Sequence, residues 1–118
     1  MSAYEIPGLR FSIPAGAAIV QHRFVSVNAN GQAIQATAST PVIGVSMNEV
    51  TATDELPAAK QIAEIADGIV MVEAGGTVAA GAGVASDASG KAITATDKAI
   101  AVAITAGAAG GLMSVKLI

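Results

Sequence analysis

The sequence has no cysteine and no tryptophan, and only two phenylalanines, one tyrosine and one histidine among its 118 residues. Without cysteine there are no disulfides and no thiolate metal sites, and the compartment stays open. The single imidazole, His22, lies between Gln21 and Arg23, with no acid or second histidine at a metal-ligand spacing. Metal, triad and dyad chemistry would all have to rest on that one residue, whereas a solvent-facing strand position accounts for it fully. Basic residues are few as well. Six Lys and Arg against nine Asp and Glu give a net charge of −3, with no basic cluster, so a nucleic-acid partner has no electrostatic footing.

Long apolar runs are also missing, despite a mean hydropathy of +0.62 and only 13% charged residues. The stretch from Phe24 to Asn48 carries Asn28, Asn30, Gly31, Gln32, Gln35 and Pro41, which a lipid-facing helix does not tolerate. Ala99 to Val115 is shorter than the ~20 apolar residues that span a bilayer and contains Gly107, Gly110 and Gly111. Glu5, Pro7 and Arg10 occupy the place of a signal-peptide apolar region. The expectation is a soluble chain with no membrane partner, whose apolar surplus packs between subunits. A core of Ala, Val and Ile yields little apolar area per residue, at about 25 cal/mol per Å², so shielding by a partner or by further copies is expected.

What the chain does have is a duplication. Phe24 to Thr37 (FVSVNANGQAIQAT) aligns without a gap to Gly83 to Thr96 (GVASDASGKAITAT), fifty-nine positions on. After a two-residue slip, Val42 to Met47 (VIGVSM) aligns to Ala99 to Ile104 (AIAVAI), and upstream Ile13 to Ala17 aligns to Val78 to Ala82. Each copy reads as a short run, a glycine turn and another short run, the signature of a β-hairpin. A unit this short cannot bury its own apolar face, so the two copies are expected to share one core.

Along the chain, residues 1–10 read as an extended N-terminal arm and 11–118 as a single β domain, with the internal repeat over about 13–72 and 78–118. The arm carries Tyr4, Ile6 and Leu9, and Pro7-Gly8 breaks any regular element. Two readings stay open: the arm adds to the sheet edge of another body, or it folds back on its own domain. Asn30-Gly31 predicts a type I′ hairpin turn, in which both central residues take positive φ. Pro57 to Asp67 is ambiguous: Ile62, Ile65 and Ile69 have helical spacing, while Gly68 to Val72 is strand. About nine short strands at 8–12-residue spacing predict an all-β fold, a small β-barrel or β-sandwich-like single domain built from two degenerate hairpin repeats.

Site chemistry is sparse. Ser86 to Lys91 looks superficially like a phosphate loop, but Ala85 and Ala92 stand where the motif needs Gly and Ser or Thr, and the repeat copy marks the segment as a turn. Glu49, Asp54, Glu55, Glu64, Asp67, Glu73, Asp87 and Asp97 are scattered, mostly beside turns, and name no acid/base pair. No helix follows Gly75-Gly76 or Gly81 to Gly83 to aim its N-terminus at a phosphate. The expectation is no enzyme, no cofactor and no metal.

The order of the short signals resembles the capsid decoration (cement) proteins of tailed phages. The phrases are Val42 to Ser46, Gly68 to Val72, Thr77 to Gly90, Ala99 to Ala103 and Ala108 to Ile118. Being rich in Ala, Gly and Val, they draw their specificity from order and spacing. Ala101 stands where that family often has Gly, and the long arm before Phe11 is a further departure. The resemblance implies an extended segment at Lys60 to Ala66, which turns the ambiguous stretch toward strand. It also implies a virion protein on the outer capsid surface, made in the host cytoplasm. There it would bridge subunits of the major capsid protein lattice, as a homotrimer at three-fold or quasi-three-fold positions. The contact residues expected on that reading are Tyr4, Ile6, Leu9 and Phe11, with Asp54, Glu55 and Leu56 of the Thr51 to Leu56 loop second. Two other classes remain: a head-fibre base or host-surface or carbohydrate-binding module, against which the few aromatics count, and a small β-barrel hydrolase resting on His22.

Overall fold

The sequence duplication returns as a duplication of hydrogen-bonded register. In a computed structural model describing residues 3–118, the strands are β1 (Ile6–Pro14), β2 (Phe24–Val27), β3 (Ala33–Gln35), β4 (Gly44–Ser46), β5 (Ile62–Glu73), β6 (Gly83–Ser86), β7 (Ala92–Thr94), β8 (Ala101–Ala103) and β9 (Leu112–Leu117). They form one antiparallel sheet in the order β3-β2-β4-β5-β9-β8-β6-β7, with β1 also paired to β5. The sheet curls into a half-barrel, so the all-β single domain expected from the sequence is observed.

The pairs repeat residue by residue. Val25↔Gln35 and Val27↔Ala33 between β2 and β3 return as Val84↔Thr94 and Ser86↔Ala92 between β6 and β7. Phe24↔Val45 returns as Gly83↔Val102, Val45↔Ala66 as Val102↔Lys116, and Phe11↔Ile65 as Val70↔Val115. Isolated bridges follow suit, Ala15↔Ala33 as Ala74↔Ala92 and Ile19↔Val50 as Val78↔Gly107. Ala15 is therefore the counterpart of Ala74, and the upstream alignment of Ile13 to Ala17 with Val78 to Ala82 is corrected. Short Ala-Gly words match in several registers, and only the hydrogen bonds choose between them.

β5 belongs to both copies. Its first half pairs with β1 and β4 as the last strand of module one; its second half pairs with β9 as the first strand of module two. The hand-over falls at Gly68, whose φ of 110° lies where L side chains are strained, and a Cβ there would stand 2.6 Å from the Gly8 nitrogen. β1 carries a matching irregularity between Pro7 and Leu9. Ile6 to Arg10 pair with this chain's own β5 in one strand with Phe11 to Pro14, so the segment folds back on its own sheet with no break at residue 10.

Two further expectations are corrected locally. Asn30 does not take positive φ; only Gly31 does, at 75°. The Asn28 side chain instead accepts the backbone N–H groups of Asn30 and Gln32, and Asp87 does the same for Ser89 and Lys91, so one left-handed glycine suffices in each turn. At Lys60 to Ala66 the extended segment is present, but it starts at Ile62. Residues Ala58–Lys60 close a 3-10 turn after Pro57, where Lys60 N–H bonds the Pro57 carbonyl and Gln61 N–H that of Ala58.

There are two cores. The inner core, within the curl, joins Phe24, Val45 and Ala66 of module one to Val70, Val72, Val84, Ala101, Met113 and Val115. The second lies on the opposite face of module one, where Val25, Ala63 and Ile65 are covered by Ile19, Val50 and Ala58. With small side chains the strands approach closely. A Cβ on Gly44 would stand 2.5 Å from a methyl of Ile65 and 2.7 Å from the Ala66 carbonyl oxygen, whereas its counterpart Ala101 has its methyl accommodated and buried. Gly44→Ala is therefore expected to destabilise by about 2 kcal/mol through overpacking and Ala101→Gly by about 1 kcal/mol. Urea unfolding of the two variants checks the asymmetry; equal costs would contradict it.

Candidate interaction surface

Among the described residues, no three His, Cys, Asp or Glu side chains converge. A groove of about 450 Å³ between Thr37–Pro41 and Ala85, Ser86, Lys98 and Ile100 holds one charged side chain and no aromatic ring. A smaller groove of about 200 Å³ is lined by Arg10, Phe11, Ser12, Met47, Glu64 and Ile65. Only the smaller groove has an aromatic ring, Phe11, and its single carboxylate is Glu64.

The sequence-derived contact residues fall at two ends of one strand. Ile6 and Leu9, 62% and 57% exposed, sit at the start of β1 opposite Ile69 and Asp67. Tyr4 precedes them, its backbone N–H and carbonyl both held by the Ser114 hydroxyl on β9. Asp54, Glu55 and Leu56 are exposed in the loop near the far end of the strand, where Pro14 meets Ile62. At ~3.3 Å per residue the ends of β1 lie roughly 26 Å apart, so the two sets do not form one patch. Phe11, between them, packs half-buried against the second core.

Sequence reasoning missed an ionic cluster that ties the modules together. Glu73, at the end of β5, meets Arg23 at 3.1 Å and Lys91 at 3.2 Å. Arg23 also donates to the Ser89 carbonyl, the Phe24 N–H bonds the Gly90 carbonyl, and Gln35 donates to Ser89. The turn of module two is thereby bound to β2 and β3 of module one. Partial burial pushes the Glu73 carboxyl up, but hydrogen bonds and charge from Arg23 and Lys91 outweigh it and hold the group below its ordinary range. Residues 23, 73 and 91 share no sequence spacing that would mark them as partners.

His22 is placed by backbone geometry. Its φ of 63° is the only positive value at a non-glycine among the described residues, and its counterpart in module two is Gly81, at 84°. The backbone there is fixed by His22 N–H to Ser46 and Glu73 N–H to the His22 carbonyl, while the ring Nδ1 is buried without a partner. His22 is a strained turn residue.

A row of three apolar side chains and a lysine also crosses the sheet, and only its Ile6 was marked by the sequence. Ile6↔Ile69, Ile69↔Lys116 and Lys116↔Val102 are direct cross-strand pairs, so these four residues share one face across β1, β5, β9 and β8. Val102 is 38% and the adjacent Ile118 82% exposed. Leu9, Asp67, Gly68, Lys116 and Ile118 line a cleft of about 230 Å³ beside the row.

No known family model matches the chain, and no curated protein matches it in sequence. Among solved structures it is similar to the head fiber gp8.5 N base of bacteriophage phi29, with a TM-score of 0.73 over 93% of each chain at 14% identity. At that identity the likeness establishes a common fold.

Two outcomes follow from this geometry. Replacing Glu73 by Gln should cost about 1 kcal/mol at pH 7, the scale of a partly exposed pair within a network. Because the folded-state pKa is lowered, this stabilisation is complete above the unfolded value of about 4.3 and disappears as pH falls through the folded value. Unfolding curves of the wild type and Glu73→Gln should therefore converge in acid; a constant gap would assign the loss to packing. Second, His22→Gly should stabilise by up to ~1 kcal/mol through relief of the left-handed conformation, read as a rise in Tm.

Proposed function

We propose that this chain is a structural protein of a tailed-phage head, seated on the outside of the capsid, where it bridges neighbouring shell subunits and stabilises the assembled lattice. The carrying observation is the end-to-end fold likeness to a phage head fibre base, which joins the decoration-protein resemblance in the order of the chain's own short strands. On this reading it is not catalytic, and it acts as a multi-copy assembly, with three copies per site as the finer form. The mechanism is mass action: a ligand of the assembled shell alone lowers the free energy of that state. Many weak copies, each tied to two subunits, add through avidity.

A second reading, a head-fibre base, has the phi29 likeness directly in its favour. The readings differ in what the chain carries, since a fibre base presents a further distal domain while a decoration protein ends at the shell. Heads of the encoding phage prepared without this protein supply the test. Added chain should bind them saturably and raise their melting temperature by several degrees. Absence of binding to expanded heads would overturn the proposal, and recruitment of a fibre segment with no gain in melting temperature would select the second reading.

A further inference from the structure

The two modules carry equivalent faces in different surroundings. In module one the row Arg10–Ala66–Val45–Phe24 runs across β1, β5, β4 and β2, and Ala66, Val45 and Phe24 are at most 1% exposed. What covers them is module two, through Val70, Val84, Ala101 and Val115. The counterpart row in module two is Ile69–Lys116–Val102–Gly83, in which Lys116 and Val102 are exposed while Ile69 and Gly83 are partly covered. On the same face of β9, Ser114 is fully buried, its hydroxyl bonded to the Tyr4 backbone and its N–H to Thr105, whereas its counterpart Glu64 is exposed.

The opposite faces follow the same logic. The row Val70–Val115–Ala103 of module two packs inside the curl; its counterpart Phe11–Ile65–Ser46 in module one faces outward and is closed by the second core. Ala58, in the 3-10 turn of the connection between Val50 and Ile62, contributes to that closure, and module two spans the equivalent gap from Gly107 to Leu112 in far fewer residues. The modules therefore stack as repeats do, with a cap at one end and an unfinished face at the other.

We infer that the unfinished face, Ile6, Ile69, Val102, Lys116 and Ile118, is where a second copy of this chain docks. The molecule itself shows what kind of surface such a face accepts, because its counterpart is covered by a module of this same chain. Three of the exposed large apolar side chains, Ile6 at 62%, Val102 at 38% and Ile118 at 82%, belong to this face. Its charges suit self-association: Lys116 stands in the row and Asp67 in the adjoining cleft, with no ion pair between them, so a facing copy brings opposite charges together. This inference rests on the multi-copy part of the proposed function and assigns it a surface.

The test is sedimentation equilibrium on the full chain at tens of micromolar. The wild type is expected to associate, and Val102→Glu to weaken association at least tenfold while keeping the wild-type far-UV spectrum, since Val102 is a surface strand residue. Leu56→Glu, on the capped end, serves as control and should associate normally. Because the chain is free of cysteine, Val102→Cys can be oxidised cleanly, and a disulfide-linked pair is expected where copies meet near a symmetry axis. Unchanged association of Val102→Glu overturns the face assignment and leaves the multi-copy reading standing. A wild type that stays monomeric overturns both, without touching capsid binding. A monomer whose capsid binding is lost in Val102→Glu assigns the face to the shell and overturns the second copy as its occupant.

Discussion

One strand holds this molecule together. β5 runs twelve residues, Ile62–Glu73, and no other element pairs with both modules. Its first half completes the first hairpin unit and its second half opens the next, so neither module has a complete sheet without it. Two short hairpins are marginal alone in water. Joined through a common strand they become one cooperative sheet, and the joint puts Ala66 and Val70 on the same side, inside the inner core. Gly68 and the irregularity at Pro7 and Leu9 are the local cost of that joint, where two backbones approach too closely for a side chain.

The scarcity of aromatics follows from the same geometry. Strands β4 and β5 pack with the Gly44 Cα against Ile65, and the inner core is filled by Ala and Val, with Phe24 its one fully buried ring. A thin interior of this kind relies on polar ties at its rim. Arg23, Glu73 and Lys91 supply one, together with main-chain bonds from the second turn to β2. These ties bind the turn of module two to β2 and β3.

Much of the fold was legible because turn chemistry is local. Asn28 with Gly31 and Asp87 with Gly90 fix equivalent hairpins, and the intervening Val and Ile alternate. The double membership of β5 was hidden, since a strand belonging to two units reads as one apolar run. The start of β5 was displaced by two residues because Pro57 sets up a 3-10 turn that the Ala-rich composition does not announce. Of the candidate surface, only the arm side was legible beforehand. Tyr4, Ile6 and Leu9 stood out as apolar groups on an irregular terminus, whereas Val102 and Lys116 look like ordinary members of alternating strands. Period-two alternation separates the two faces of a strand but does not say which face a neighbouring module covers.

That distinction also bears on how strong self-association through the proposed face would be. At the closed row, module one places Ala66 in the centre; at the open row, module two places Lys116 there. An ammonium group taken fully out of water without a partner is costly enough to forbid the contact. A copy that covers Val102 must therefore either leave the Lys116 head at the rim, with only its stem buried, or bring a carboxylate such as Asp67 to meet it. Both arrangements describe a contact tighter than chance but weaker than the interior interface between modules, and sensitive to salt. A reversible contact of this kind would suit the multi-copy assembly proposed above better than a permanently fused oligomer would.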